Sequence, residues 1–265
     1  MNAVSLWFFP HLLPHREVLH FVSGRTGGVS TPPYDSLNLA FHVGDAPGSV
    51  AANRKILAHA LAIDPVAMVA ARQVHGNTVA ILDHQERRQV DEEALRADAL
   101  VTDIPGTCLM VLLADCVPVL IVDPIKRVVG VAHAGWRGTV KLVASETVRV
   151  LTERYGSSPK DLFVGIGPSI GPDEYEIGPE VIAEVERVFG TKRGFIRGER
   201  ASDGKGLFDL WEANKVQLVR SGVPEDRIQV ARLSTYQHPY LFFSERRLGG
   251  PTGRFAAGVM IRARG

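Results

Sequence analysis

The residues best suited to chemistry crowd into Ala114–Thr139, ADCVPVLIVDPIKRVVGVAHAGWRGT. Two β-prone runs flank Asp123-Pro124-Ile125-Lys126, and Asp followed by Pro favours a type I turn. A two-residue loop at Pro124 and Ile125 would set Cys116 directly opposite His133, with Cβ atoms ~4.5–5.5 Å apart on one face of a sheet. A one-residue slip would send them to opposite faces. A thiol and an imidazole so placed suit two tasks. They can share a borderline-soft metal ion such as zinc, or act as a nucleophile and its base. The plain alternative is a buried cysteine beside a surface histidine. Ala132, Ala134, Gly135 and Gly138 crowd His133 with small residues, which let the backbone approach a ligand closely. The start of a helix at Thr139–Tyr155 would offer free N–H groups to an anion, and Arg137 a charge-assisted fork. Asp115 stands beside Cys116, but strand neighbours face opposite ways, which argues against a catalytic part for it.

A metal needs a third ligand. Of the nine histidines, His59 falls mid-helix and His84 in a polar turn, both reading as solvated. His75 lies in Arg72-Gln73-Val74-His75-Gly76-Asn77, where a strand yields to a glycine turn, and loops at strand ends often carry function. His75, Cys116 and His133 would supply three ligands and leave a fourth position open, the catalytic zinc pattern.

The elements that must position these groups alternate along the chain. Helices are expected over 49–63, with Ser49 as N-cap, and over 139–155, 179–189 and 207–221. Strands are expected over 69–71, 78–82, 107–114, 118–122, 127–132, 162–166, 228–233 and 255–261. Continuous apolar runs such as CLMVLLA imply sheets covered on both faces, hence a layered α/β sandwich formed by a single domain, 1–265. The formal net charge of +1 gives no argument for nucleic acid or an anionic membrane as partner. Two cysteines, Cys108 and Cys116, exclude a disulfide framework and suggest a reducing compartment. Residues 1–15 lack a basic n-region and are interrupted by Pro10, so they do not read as an export signal. A soluble, cytoplasmic protein is expected. Of the 30 basic residues most are arginine, the side chain that meets phosphate or carboxylate with two parallel donors.

Several ordered blocks resemble the YfiH-type family, also called polyphenol oxidase or laccase-domain proteins. They are GRTGGVSTPPYDSLNLAFHVGD (24–45), ANR (52–54), RQVHGNTV (72–79), ADALVTDIPG (97–106), ADCVPVLIVDP (114–124), VAHAGWRGT (131–139), VGIGPSIGPDEYEIG (164–178), FFSERR and TGR. The resemblance covers nearly the whole chain. It implies a four-layer α/β/β/α sandwich with mixed sheets and zinc held by His75, Cys116 and His133. It further implies a purine nucleoside phosphorylase acting on adenosine, inosine, guanosine and methylthioadenosine, with adenosine deaminase activity besides. Some members are credited with trimming peptidoglycan precursors. This chain departs from the pattern at Ser169 and Ser234, where cysteine is frequent, and at Glu245, where an aromatic residue is usual.

Phosphorolysis requires an anion pocket beside the glycosidic carbon. Arg54, within the ANR block, and Arg137 are the leading candidates, with Arg25 behind them; Asn38 and Gln73 are amides suited to reading a base or ribose. Deamination would use a zinc-activated water, although the usual H-x-E…P-C-x-x-C signature is absent. A multicopper laccase needs paired H-x-H motifs, and none occurs here. Zinc is therefore expected, with copper as a possible substitute. The alternatives are a metal-free Cys116–His133 amide or acyl hydrolase, a copper-binding polyphenol oxidase, and a binding protein without turnover. The oligomeric state is not legible in the sequence.

Overall fold

Apolar alternation within two adjacent strands decides the layers. In the computed structural model, which describes residues 3–83, 92 and 94–263, β7 (Val117–Asp123) and β8 (Val128–Ala134) are buried at every position. Val117, Val119, Ile121, Val128, Ala132 and Ala134 point into a core shared with helices. Leu120, Val122, Val129 and Val131 point the other way, into a core shared with a second sheet. Such two-sided cover is why these strands read as unbroken apolar runs.

The first sheet has the order β13 (Ile228–Val230), β9 (Phe163–Ile166), β7, β8, β5 (Ala99–Thr102) and β4 (Val79–Ile81). It is antiparallel inside and parallel at both edges. The second has the order β1 (Leu6–Trp7), β2 (Val18–Ser23), β14 (Phe255–Ile261), β6 (Cys108–Leu113) and β3 (Met68–Val69), with only β3 and β6 parallel. Helix α1 (Pro47–Ala60) packs Leu57 and Ala58 on the outer face of this sheet against Phe21, Met110 and Met260. Helices α3 (Val143–Tyr155), α4 (Pro179–Phe189) and α5 (Leu210–Arg220) cover the outer face of the first sheet. The result is the expected four-layer α/β/β/α sandwich. A small antiparallel sheet, β10 (Glu176–Ile177), β12 (Gly206–Phe208) and β11 (Ile196–Arg197), and two short helices, α2 (Trp136–Val140) and α6 (Glu245–Leu248), complete it.

Several expected boundaries move, each for a local reason. Helix α1 starts at Pro47, not after Ser49, because proline presets the first helical φ. The helix expected over 139–155 is two helices: α2 begins earlier, at Trp136, and Leu142 takes a left-handed φ of 62° between it and α3. The start of the expected 207–221 helix is strand β12, and Asp209 caps α5 by accepting from the Glu212 N–H at 2.9 Å. Strand β2, VLHFVS, is not among the expected strands; its His20 and Ser23 are both buried, and His20 Nε2 accepts the Phe9 N–H at 2.8 Å. His84 lies outside the described residues.

The hairpin register also differs. Asp123 Oδ1 accepts from the Ile125 and Lys126 N–H groups at 2.8 and 2.9 Å, and Arg127 takes a φ of +56°, so the loop has four residues, Pro124 to Arg127. His133 therefore faces Pro118, and the pairing is shifted by two from the one expected. An even shift preserves the face, and Cys116 and His133 remain on the same side.

Candidate functional site

Cys116 immediately precedes β7, and His133 projects from β8 toward the layer between the sheets, near the end of the strand. His75 comes from the turn between β3 and β4, where its φ is +57°. One thiol and two imidazoles meet there, their ligand atoms all within 4.8 Å of one another, with His75 exposed, Cys116 half-buried and His133 buried. The two rings stand edge to face, 4.9 Å between centroids.

Asp98 holds both histidines. Its Oδ1 accepts from His133 Nδ1 at 2.9 Å and from the His75 N–H at 2.9 Å. Its Oδ2 accepts from the N–H groups of Gly76 at 2.6 Å and Val74 at 3.2 Å. A carboxylate that accepts from Nδ1 fixes the tautomer and leaves Nε2 for a metal. Burial alone would raise the Asp98 pKa, but His133 and the two backbone donors hold it below its ordinary value. The same carboxylate shapes the left-handed turn that presents His75.

Gly135 leaves room for the sulfur. A Cβ there would stand 2.8 Å from Cys116 Sγ and 3.3 Å from His75 Cδ2. Burial would push the thiol up, yet the charge of His133 and hydrogen bonds from both histidines bring Cys116 down to about 6. Burial would lower His133, but the Cys116 thiolate and Asp98 raise it to about 9. Without a metal the pair is thus thiolate and imidazolium. Cys108 is the opposite case: fully buried in β6, it is pushed up to about 12.

The cluster opens on a cleft of about 530 Å³, whose lining includes Trp136, Arg137, Tyr175, Glu245 and Arg246. Arg137 stacks on Trp136 at 4.4 Å and Arg246 on Tyr175 at 4.9 Å. Asp115 also lines the cleft. Strand alternation does not apply to it, because it sits in a bend with φ +93° before β7 begins. Burial raises the Tyr175 pKa, and nearby Cys116 adds to that, so the phenol keeps its proton.

Of the sequence-derived candidates, His75, Cys116 and Arg137 line this cleft and His133 sits buried behind them in the cluster, whereas Arg54, Arg25, Asn38 and Gln73 are not among its lining residues. Arg54 Nη1 donates to both Glu92 oxygens at 2.8 Å and Nε to the Leu39 carbonyl at 3.0 Å. Arg25 is held by Asp35 and by the Pro239 carbonyl at 2.7 Å. Asn38, fully buried, bridges Ala40, Asp45 and the Arg254 N–H. Gln73 clamps both backbone groups of Leu112 in β6. These four hold the fold around the site instead of facing it. Asp98, Tyr175 and Arg246 were missed by residue-by-residue reading, although each lies in a family-like block. Ser169 accepts from Trp211 Nε1 at 2.6 Å, Ser234 from the Gly171 N–H at 3.2 Å, and Glu245 pairs with Arg254 at 2.7 Å.

The donor set fits a metal: two imidazoles, His133 giving up its Nε2 proton on binding, and a thiol already biased to thiolate are ligands for zinc or copper. Among the described residues this is the one His/Cys/Asp/Glu cluster assembled for an ion. His11 Nδ1 bonds Gln229 and His238 Nδ1 the Ser234 carbonyl, and neither histidine belongs to that cluster.

An α/β/β/α sandwich with a His₂Cys cluster under an arginine-walled cleft defines the class. Residues 19–262 match the family described as multi-copper polyphenol oxidoreductase laccase. The chain belongs to this laccase-domain family, in agreement with the YfiH-type resemblance of its motifs. A purine nucleoside phosphorylase of Bacteroides thetaiotaomicron is 36% identical over 258 residues, spanning 96% of this chain and 95% of that protein. An adenosine deaminase from an unknown prokaryotic organism is 36% identical over 230 residues, spanning 85% and 87%. The crystal structure of the Bacillus licheniformis protein YfiH superposes with a TM-score of 0.90 at 34% identity, spanning 98% of each chain. Among the described residues no helix is long and apolar enough to cross a membrane.

Proposed function

We propose that the protein is a zinc-dependent purine nucleoside phosphorylase, cleaving adenosine, inosine, guanosine and S-methyl-5′-thioadenosine, with adenosine deaminase activity at the same cleft. The observation that carries this reading is the juxtaposition of the His75–Cys116–His133 cluster with the Arg137 and Arg246 guanidiniums across one cleft. The names of the relatives point the same way.

In this reading His75, Cys116 and His133 hold zinc, which supplies Lewis acidity when bound. The Arg137 guanidinium makes no hydrogen bond to the described residues, and that of Arg246 uses only Nη1, toward the Glu176 carbonyl at 2.9 Å. Their remaining N–H groups suit a phosphate dianion, because a planar guanidinium meets two oxygens at once. Trp136 and Tyr175 offer aromatic faces to a purine. Phosphate oxygen bonds to the ribose anomeric carbon as the bond to purine nitrogen breaks, and the departing base takes a proton. Solvent can supply that proton, and the Tyr175 phenol, which keeps its own, can hydrogen-bond the base. Deamination would replace the 6-amino group with oxygen from water and release ammonia.

One feature favours the metal-free Cys116–His133 hydrolase as a second reading: the thiolate–imidazolium pair itself. The two readings separate in one experiment. Purified protein is assayed for metal, then incubated with adenosine or inosine, with and without phosphate. Stoichiometric zinc, and ribose-1-phosphate formed only with phosphate, support the phosphorylase. Turnover undiminished by a chelator and independent of phosphate would overturn it.

A further inference from the structure

We propose that Asp115 is a positioning residue for the oxyanion: the turn that delivers Cys116 to the ligand cluster also fixes, through the Asp115 carboxylate, the segment carrying Arg246. This rests on the cleft being a phosphate site, as proposed above.

Three segments converge on this residue. Its Oδ2 accepts from the Arg246 N–H at 2.7 Å, its Oδ1 from the Thr235 hydroxyl at 2.6 Å, and its carbonyl from the Ile170 N–H at 2.9 Å. The φ of +93° turns the carboxylate toward them, where an extended strand would have sent it elsewhere. Both oxygens are engaged by donors, so the charge is directed into the wall and not at an incoming anion. Arg246 is thereby held at both ends: its backbone by Asp115, its guanidinium by the Glu176 carbonyl and the Tyr175 ring. Elsewhere the segment is tied within the wall itself, Ser244 capping the Arg247 N–H at 3.2 Å and Glu245 pairing with Arg254 at 2.7 Å, contacts that do not involve the Cys116 turn. Gly249 and Gly250 follow α6 along the cleft, and a Cβ at either would meet nothing within 4 Å. Among the described residues the Asp115 bond is the hydrogen bond that ties the Cys116 turn to the segment carrying Arg246, so that two consecutive residues of one turn serve the two halves of the site.

Asp115→Gly removes the carboxylate and suits the left-handed backbone. Asp115→Asn keeps an acceptor for the Arg246 N–H and can donate to the Thr235 hydroxyl. The zinc-loaded proteins are titrated calorimetrically with inorganic phosphate, and kcat and the KM values for phosphate and inosine are measured alongside zinc content. In Asp115→Gly, phosphate Kd and KM should rise about ten-fold or more, the scale of a lost hydrogen bond to a charged acceptor. Zinc content and the inosine KM should stay within about two-fold, and Asp115→Asn should recover most of the phosphate affinity. Adding Arg246→Ala to Asp115→Gly should cost little further, since both act on one guanidinium. If Asp115→Gly does not fold, Thr235→Val gives a graded version, with phosphate Kd raised about three-fold. Native protein that binds no phosphate overturns the phosphate reading and this inference with it. Native protein that binds phosphate, with Asp115→Gly binding it equally or losing zinc in proportion, overturns the inference alone.

Discussion

His133 Nδ1 donates to Asp98 Oδ1 at 2.9 Å, and that same oxygen accepts the backbone N–H of His75. One buried carboxylate therefore orients one imidazole directly and the other through its turn. Asp98→Asn would aim an amide N–H at donors it cannot pair with. Outer partners of metal ligands typically govern affinity by ~10–100-fold. Zinc affinity should fall by about that factor, read by competition with a chromophoric chelator. An unchanged affinity would mean that the histidines are held by packing alone.

Gly135 tests the steric side of the same cluster. Its φ of −65° and ψ of 174° suit alanine, so only the 2.8 Å approach of a Cβ to Cys116 Sγ is at issue. Gly135→Ala should fold, with a cost of about 1–3 kcal/mol from overpacking, and should bind substoichiometric zinc by elemental analysis. Full occupancy in the variant would show that the sulfur can move aside without loss.

The sandwich was legible because its central strands alternate between two apolar cores and so read as unbroken runs. The Cys116–His133 meeting was legible for a sturdier reason than the register used to reach it. The loop has two more residues than expected, and a shift of two makes the pair diagonal while leaving both side chains on one face. Asp98 was not legible, because its role depends on a turn over 74–76 wrapping its carboxylate, and no spacing encodes that. Arg54 shows the opposite case: an arginine in a family-like block reads as an anion ligand, and the structure sets Glu92 beside it as its partner. Asp115 was set aside by strand alternation, a rule its left-handed backbone does not obey.

The two arginines should separate in a parallel test. Arg54 Nη1 donates to both oxygens of half-buried Glu92, whereas Arg137 faces the cleft without a carboxylate partner. Arg54→Ala should lower stability by about 1–3 kcal/mol and leave the phosphate KM within about two-fold. Arg137→Ala should leave the melting temperature nearly unchanged and raise the phosphate KM about ten-fold. A raised KM in Arg54→Ala at unaltered stability would place Arg54 at the substrate instead.

The protonation states predict reactivity more sharply than stability. Cys116 falls from an ordinary 9.0 to about 6, so its contribution to stability is present above 9.0 and is lost as pH falls through 6. His133 rises from 6.5 to about 9, so its contribution is present below 6.5 and is lost as pH rises through 9. Between 6.5 and 9 the unfolded chain carries one proton on the thiol and the folded chain one on the imidazole. The proton counts match, and the pair should add almost no slope to stability against pH there. Its thiolate is nevertheless present throughout. Alkylation of metal-stripped protein by iodoacetamide should rise with a midpoint near pH 6, on Cys116 and not on Cys108, whose thiol is pushed up to about 12. Zinc should suppress it, since a coordinated thiolate is shielded from the reagent. Mass spectrometry of the alkylated peptides across pH reads both effects, and a midpoint near 9 would show that the histidines do not hold the thiolate.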